Sequence, residues 1–234
     1  MVQATKSSAQ LKALYGDAYV AQYRALSPER LQRLLPYIDL RPTDIVADFG
    51  CGNGMLYDLI GHRVRQYVGV DFSESFIHAA RERINGARSQ NAQFVCSTIE
   101  AFCATRPSCM DAAFAMDFSE HVYDDEWRDI LRSIRSALKP GGALYLHTPN
   151  AAFVVEILKA RNFILPQQPE HIAVRTAAEN CRLLREAGFQ VAAARVLPHY
   201  LPLLSRAHAL TLLPGIGRFF GARLFIEARR GDVA

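Results

Sequence analysis

From residue 45 to residue 228 the chain alternates short apolar runs with stretches of helical period. Ile45–Phe49, Tyr67–Asp71, Ala92–Cys96, Met110–Asp117, Ala143–Thr148, Gln190–Leu197 and Leu224–Ala228 are predicted as strands. Several are apolar throughout rather than alternating, the pattern of strands covered on both faces. Between them the spacing predicts helices over Asn53–His62, Ser75–Asn85, Glu126–Leu138 and Thr176–Ala187. The third is the clearest: Trp127, Ile130, Leu131, Ile134 and Leu138 share one face, acids fill its first turn, and Lys139-Pro140-Gly141-Gly142 ends it. Strands alternating with helices in this way imply an α/β fold, a doubly wound, mostly parallel sheet of seven strands.

Leu11–Leu26 and Pro28–Ile38 predict two further helices packed across the sheet edge. Ser27 would be the N-cap of the second and Pro28 its first helical residue. Pro149–Arg175 and Pro198–Arg223 exceed what a minimal doubly wound sheet needs. Both are apolar with basic or His insertions and both follow strand ends, where insertions build substrate pockets. The chain therefore reads as one domain over 1–234, with a helical cap over 1–43 and pocket-forming insertions at 149–175 and 198–223.

At 234 residues, half of them hydrophobic, the chain can bury about 70% of its unfolded surface, so wholesale disorder is excluded. Lys+Arg 27 against Asp+Glu 23 leaves +4, too mild to name nucleic acid as a partner. Cys51, Cys96, Cys103, Cys109 and Cys181 are odd in number and form no C-x-x-C pair, so reduced thiols fit better than a disulfide framework, and no metal site is read from them. Met1–Gln10 is polar, without the apolar segment of a signal peptide, and no apolar run approaches the ~20 residues of a membrane span. A soluble, cytoplasmic protein is the expectation.

The sharpest local signal is Val46-Ala47-Asp48-Phe49-Gly50-Cys51-Gly52-Asn53-Gly54-Met55, an apolar strand running into glycines at alternate positions and then a helix. Glycines there permit a tight turn and a close ligand approach, and new helix N–H groups favour an electronegative ligand group. The third glycine of a dinucleotide fingerprint would fall at Met55, which argues against a nicotinamide-dependent oxidoreductase. Asp71 ends the second strand 23 residues after Asp48, where a carboxylate can accept both hydroxyls of a ribose.

These residues resemble a known family. VADFGCGNG, VGVDFSESFI, the pair AAFAMDFSEHV and LKPGGALYLHTPN, and the later EHI and LLREAGFQV are similar, in order, to class I S-adenosylmethionine-dependent methyltransferases, within the broad group that includes ubiquinone-biosynthesis O-methyltransferases. The match spans Ile45 to Val191. The resemblance implies a Rossmann-like fold binding S-adenosyl-L-methionine, with Gly50, Gly52 and Gly54 cradling its methionine portion and ribose, and Asp48 near its amino group. It further implies Asp71 on the ribose diol, Phe72 against the adenine, and Met116 and Asp117 holding the methionine end through backbone groups. Ser97 and Thr98 stand where relatives place an acid that meets the adenine amino group. Tyr15, Tyr19 and Tyr23 could close over the cofactor but read better as packing.

The implied reaction carries a methyl group by in-line displacement to an O, N or C nucleophile of a small, lipophilic molecule. A hydroxyl acceptor would need a general base, for which His121 and His171 are the candidates; His147, on an apolar strand, reads as half buried and structural. Glu120 could pair with a histidine, orient the substrate or offset a helix N-terminus. Asp124-Asp125-Glu126 reads as a helix start rather than as a site for a cationic acceptor. Gly188 to Ile226 contains no acid, while Arg195, Arg206, Arg218 and Arg223 are spaced among apolar residues, so 198–223 suits a flap, a peripheral membrane contact or a homodimer surface. A non-catalytic cofactor-binding partner subunit, or a lipid-linked or glycan acceptor, remain the alternatives. Nucleic-acid methylation is disfavoured, because Asp117-Phe118-Ser119-Glu120 stands in place of an N/D-P-P-Y/W tetrad.

Overall fold

In the computed structural model, residues 28–84, 90–163 and 166–231 are described. Seven strands form one sheet: β1 Ile45–Phe49, β2 Gln66–Asp71, β3 Ala92–Cys96, β4 Met110–Met116, β5 Leu138–Pro149, β6 Phe189–Leu197 and β7 Arg223–Arg230. Their order is β3-β2-β1-β4-β5-β7-β6, parallel except for β7, which runs antiparallel to both β5 and β6. Strand order reverses between β1 and β4, so the carboxyl ends of these two strands open the crevice where ligands of doubly wound sheets bind.

The inner strands are apolar on both faces because both faces are covered. On one side Ala47, Phe49, Ala113 and Leu144 pack with Trp127, Ile130, Leu131 and Ile134 of α5 (Asp124–Ala137); on the other, Val46, Tyr67, Phe114 and Tyr145 pack with Leu34, Ile60 and Ile77. Phe114, Tyr145 and Phe225 stack across β4, β5 and β7, with centroids 5.2 and 5.9 Å apart. The remaining helices are α1 Glu29–Gln32, α2 Tyr57–Ile60, α3 Glu74–Arg83, α4 Ile99–Ala104, α6 Val154–Ala160, α7 Ala177–Glu186 and α8 Pro202–Arg206. Thr176 and Glu179 close a reciprocal capping box at the start of α7.

All seven predicted strands form, and the departures are local. The helix expected over Asn53–His62 shrinks to α2 followed by a 3-10 turn at Gly61–Arg63, because the glycine loop keeps a positive φ as far as Gly54. The 4 residues of α1 and the 3-10 turn Leu35–Tyr37 replace a continuous helix over Pro28–Ile38, and Pro28 rather than Ser27 holds the N-cap position. Leu138, expected at the end of a helix, opens β5, and the Lys139–Gly142 turn is absorbed into that strand. α4 and α6 carry too few residues, 6 and 7, to show a period in the sequence. Leu11–Leu26 and Tyr15, Tyr19 and Tyr23 lie outside the described residues. Among the described residues no helix is long and apolar enough to cross a membrane.

Candidate functional site

The carboxyl ends of β1, β2 and β4 carry the sequence-predicted cofactor residues. Gly50, Gly52 and Gly54 all have positive φ, at +68°, +51° and +74°. The amides of Gly50 and Cys51 donate to the Val70 carbonyl at 2.9 and 3.1 Å, which stitches the loop to β2. At Gly50 a Cβ would stand 2.5 Å from the Phe118 ring, and at Gly54 a Cβ would stand 2.9 Å from Phe94. Any larger residue would be strained and would clash.

Asp71 closes this loop from below. Its Oδ2 accepts the Gly52 amide at 3.0 Å and its Oδ1 the Ser73 amide at 2.9 Å, so one carboxylate fixes the loop and the turn into α3. Burial pushes its carboxyl up to about 6, against the amides of Ser73, Gly52 and Phe72, which lower it. Asp48 lies deeper and accepts the Tyr67 hydroxyl; burial pushes it up to about 7, opposed by that hydroxyl and reinforced by Asp71.

These two acids fix a sign. An acid whose folded pKa is raised holds a proton that the unfolded chain has already released, so between about pH 4 and 7 the ligand-free protein loses stability as pH rises. A cationic ligand in the cleft favours the ionised pair and expels that proton. Affinity for S-adenosylmethionine should therefore climb from pH 5.5 to pH 8, by up to about tenfold per unit below the carboxyl pKa. Titration calorimetry in buffers of different ionisation enthalpy checks this, and a flat affinity with no proton released would contradict it.

Asn53 carries no signal of its own in the sequence, yet it is 2% exposed inside the glycine loop, and among the described residues neither its Nδ2 nor its Oδ1 has a hydrogen-bond partner. A buried amide without partners costs free energy unless a ligand completes it. With the cradle that a Cβ would fill, it makes the loop a fit for the amino-acid part of the cofactor. Phe72, just after the end of β2, is 37% exposed. Ser97 and Thr98 serve local structure: the Ser97 hydroxyl donates to the Thr98 carbonyl at 2.9 Å, and Thr98 caps α4 through the Ala101 amide. Met116 is buried in the core. Asp117, in a left-handed conformation at φ +53°, gives its amide to the His147 carbonyl at 2.8 Å and its carboxylate to Arg30, His147 and Arg223, which hold it well below the usual carboxylate range.

Next to it lies a second group of side chains. A 3-10 turn over Ser119–His121 follows β4 and is bonded to the first insertion: His121 Nδ1 lies 2.9 Å from the Glu170 carbonyl, and the Ala173 amide donates to the Glu120 carbonyl at 3.0 Å. Arg175, 4% exposed, donates to the Ser119 and Val122 carbonyls at 2.6 and 2.7 Å and to Asp124 at 2.8 Å. This brings Glu120, His121 and His171 together, with one ligand atom from each lying within 4.8 Å of the others. The contact from His121 Nδ1 to a carbonyl, which can only accept, puts a proton on that nitrogen. His171 Nδ1 is buried without a hydrogen-bond partner, and burial drives its pKa down to about 3, with His121 adding to the shift. Glu120 is 1% exposed, accepts the Thr148 hydroxyl at 3.0 Å and has a carboxyl raised by burial. One buried carboxyl group and two imidazoles suit a divalent cation as well as a hydroxyl group. His121 and His171 are 50 residues apart, so no ligand spacing in the sequence announces the cluster. The acids Asp124 to Glu126 occupy the first turn of α5, as read from the sequence.

His147 differs from expectation. It is fully buried, within 2.8 Å of Asp117 and 3.2 Å of Tyr200. Apolar neighbours along β5 hid this, because its partners come from β4 and from the second insertion.

A family model described as a methyltransferase domain matches residues 19–194. Among curated proteins, the ubiquinone biosynthesis O-methyltransferase of Xanthomonas euvesicatoria is 30% identical over 173 residues, 71% of each chain; that of Xanthomonas campestris is 32% identical over 152 residues, 62% of its own length. Among solved structures, a chain from the Haloferax volcanii complex of the Trm112 methyltransferase activator with a methyltransferase aligns at a TM-score of 0.69, 18% identity and coverage of 93% of this chain and 96% of its own. A SAM-dependent methyltransferase from Archaeoglobus fulgidus aligns at 0.67, 20% identity, 86% and 92%. At such identities the structures share the fold.

Proposed function

This chain belongs to the class I S-adenosylmethionine-dependent methyltransferases, and on that premise we propose that it methylates a hydroxyl group of a small, lipophilic acceptor. The observation that carries the reading is the Glu120–His121–His171 cluster, which gathers a carboxyl and two imidazoles just after the end of β4. An acceptor hydroxyl suits such a cluster, whereas an amine needs only to arrive neutral. The O-methyltransferase names of the relatives point the same way. A non-catalytic binding role gains no support from relatives named as enzymes.

When bound, S-adenosylmethionine supplies a methyl group already activated on a sulfonium. The residues of the chain have three tasks. Asp71 would accept the ribose hydroxyls, Phe72 would face the adenine, and the backbone of Gly50, Gly52 and Gly54, with Asp48 and Asn53, would hold the amino-acid part. His121 and His171, with Glu120, hold the acceptor oxygen in line with the methyl group; such positioning is worth about 7–11 kcal/mol in favourable cases. A divalent cation fits the same three residues and would lower the pKa of an acceptor hydroxyl as a Lewis acid. The second insertion brings Tyr200 to His147 at the end of β5. Its outer side exposes Leu212 at 87%, Leu201 at 59% and Ile216 at 51%, with Arg206 and Arg218 among them. That favours a lipophilic acceptor delivered at an apolar or anionic surface.

The test is a screen of phenols, alcohols, amines and carbon acids with methyl-labelled cofactor, read by mass spectrometry, with and without a chelator. We expect label on phenolic oxygen, rising with acceptor lipophilicity. His121→Ala and His171→Ala should each lower transfer by about 10²-fold or more while the cofactor still binds. Label on amines alone would overturn the reading.

A further inference from the structure

At the edge of the sheet that carries the cofactor residues, one buried array has no task in the reading above. His147 stands on β5 with no exposed surface; its Nδ1 is 2.8 Å from Asp117 Oδ1 and its Nε2 is 3.2 Å from the Tyr200 hydroxyl. Asp117, His147 and Tyr200 thus lie in a row. The sheet places the row beside the crevice: His147 pairs in register with Met116, the residue before Asp117, and the Phe118 ring after it packs over Gly50. Asp117 keeps its left-handed backbone there, a conformation that is disfavoured for side-chain-bearing residues and clusters at functional sites.

Packing alone does not account for this row. An imidazole buried on an apolar strand loses its water, and this ring keeps the Tyr200 hydroxyl at Nε2 and, at Nδ1, an ion-pair contact with Asp117 that does not make a hydrogen bond. A leucine would fill the space without that penalty. The charges around the row are Arg30 and Arg223 on Asp117, with Glu120 and Glu156 further out; Arg33 and Arg223 lie over the Tyr200 ring, each 5.1 Å from its centroid. Facing a carboxylate, the neutral ring carries its proton on Nδ1, so Nε2 accepts the proton of the Tyr200 hydroxyl. The phenol oxygen then keeps its own lone pairs for an incoming O–H. Two guanidinium groups over the ring stabilise negative charge developing on it.

We propose that Tyr200, His147 and Asp117 form a proton relay that removes the proton of the acceptor hydroxyl as the methyl group arrives. The inference rests on the hydroxyl reading of the previous subsection and deepens it, by naming where the proton of the acceptor hydroxyl goes while Glu120, His121 and His171 position the acceptor. The atoms balance as follows. A lone pair of the acceptor oxygen forms the bond to the methyl carbon, and the pair of the broken carbon–sulfur bond stays on sulfur. The acceptor proton passes to the Tyr200 oxygen, the proton of Tyr200 passes to His147 Nε2, and the imidazolium formed is paired with Asp117 until it returns the proton to water. A weak base suffices, since the acceptor oxygen turns strongly acidic as its new bond forms. Tyr200 is the catalytic residue of the relay; His147 and Asp117 position and receive.

Two measurements test it. In protein labelled with nitrogen-15 histidine, the His147 ring signals are assigned by their loss in His147→Gln. The relay requires the Nδ1-protonated tautomer, with the Nε2 signal moving in Tyr200→Phe; an Nε2-protonated ring would overturn it, because Tyr200 would then be the acceptor of that bond. In the second arm catechol is the probe acceptor. Tyr200→Phe should lower kcat by about 10²-fold at pH 7 with KM and cofactor affinity nearly unchanged, and should recover toward wild type at pH 9, where catechol sheds its own proton. A merely structural role would lower the rate equally at both pH values, and full kcat in Tyr200→Phe at pH 7 would also overturn the relay. If the wild-type protein methylates no hydroxyl at all, the hydroxyl reading fails, and the tautomer alone decides whether the row is built as a relay.

Discussion

Asp71→Ala should abolish the thermal stabilisation that S-adenosylmethionine and S-adenosylhomocysteine give this protein, with a fall in affinity of about 10²-fold or more. Two ribose hydroxyls on one carboxylate would make charge-assisted bonds, each worth about 1.5–3 kcal/mol. The carboxylate also anchors the loop, through the Gly52 and Ser73 amides, so its removal loosens the cradle as well as the grip on the sugar. The ligand-free protein should lose much less, because a carboxyl raised to about 6 by burial is itself held at a cost. Asp71→Asn, which keeps one acceptor oxygen, should fall between the two. Thermal shift across a cofactor titration reads all three, since a ligand at 100 times its dissociation constant adds about 2.7 kcal/mol. Unchanged stabilisation of Asp71→Ala would remove the ribose from this position.

The second large effect belongs to Arg175→Ala. Its guanidinium is the buried clamp on the turn that carries Glu120 and His121, and it satisfies two carbonyls and Asp124 at once. Truncation strips both carbonyls of their guanidinium donors and leaves Asp124 without its buried partner, and should destabilise the protein by about 3–5 kcal/mol. For a domain of this size that is a fall in melting temperature on the order of 10 °C. Methyl transfer should drop further than stability does, since the cluster loses its frame, while the cofactor still stabilises the folded fraction. Arg175→Lys should recover only part of this, because an ammonium cannot span three acceptors in one plane. A melting temperature within about 2 °C of wild type in Arg175→Ala would show that the turn holds without its clamp.

The fold was readable because its signals are local. Buried parallel strands write continuous apolar runs, and the glycine loop and Asp71 sit at strand ends where turn chemistry dictates residue type. What escaped depends on contacts between distant segments. Arg175 read as the end of an insertion and proved to be the tie between that insertion and β4. His171 is brought to His121 by the same zipper, from 50 residues away. His147 looked structural from its apolar neighbours, yet its partners Asp117 and Tyr200 lie 30 residues before it and 53 after it in the chain. Asn53 was hidden for another reason: its significance is an absence of partners, which no sequence displays. Short helices were lost for want of length, and the glycine loop consumed residues that periodicity had assigned to a helix.

The central claim is that the crevice between β1 and β4 seats the cofactor, with its sugar on Asp71. The most direct test is a crystal structure of the protein with S-adenosylhomocysteine. The account predicts both ribose hydroxyls within hydrogen-bond distance of the Asp71 carboxylate, the adenine against Phe72 and the amino-acid part reaching the Asn53 amide. A ligand seated elsewhere, or a sugar turned away from Asp71, would contradict it.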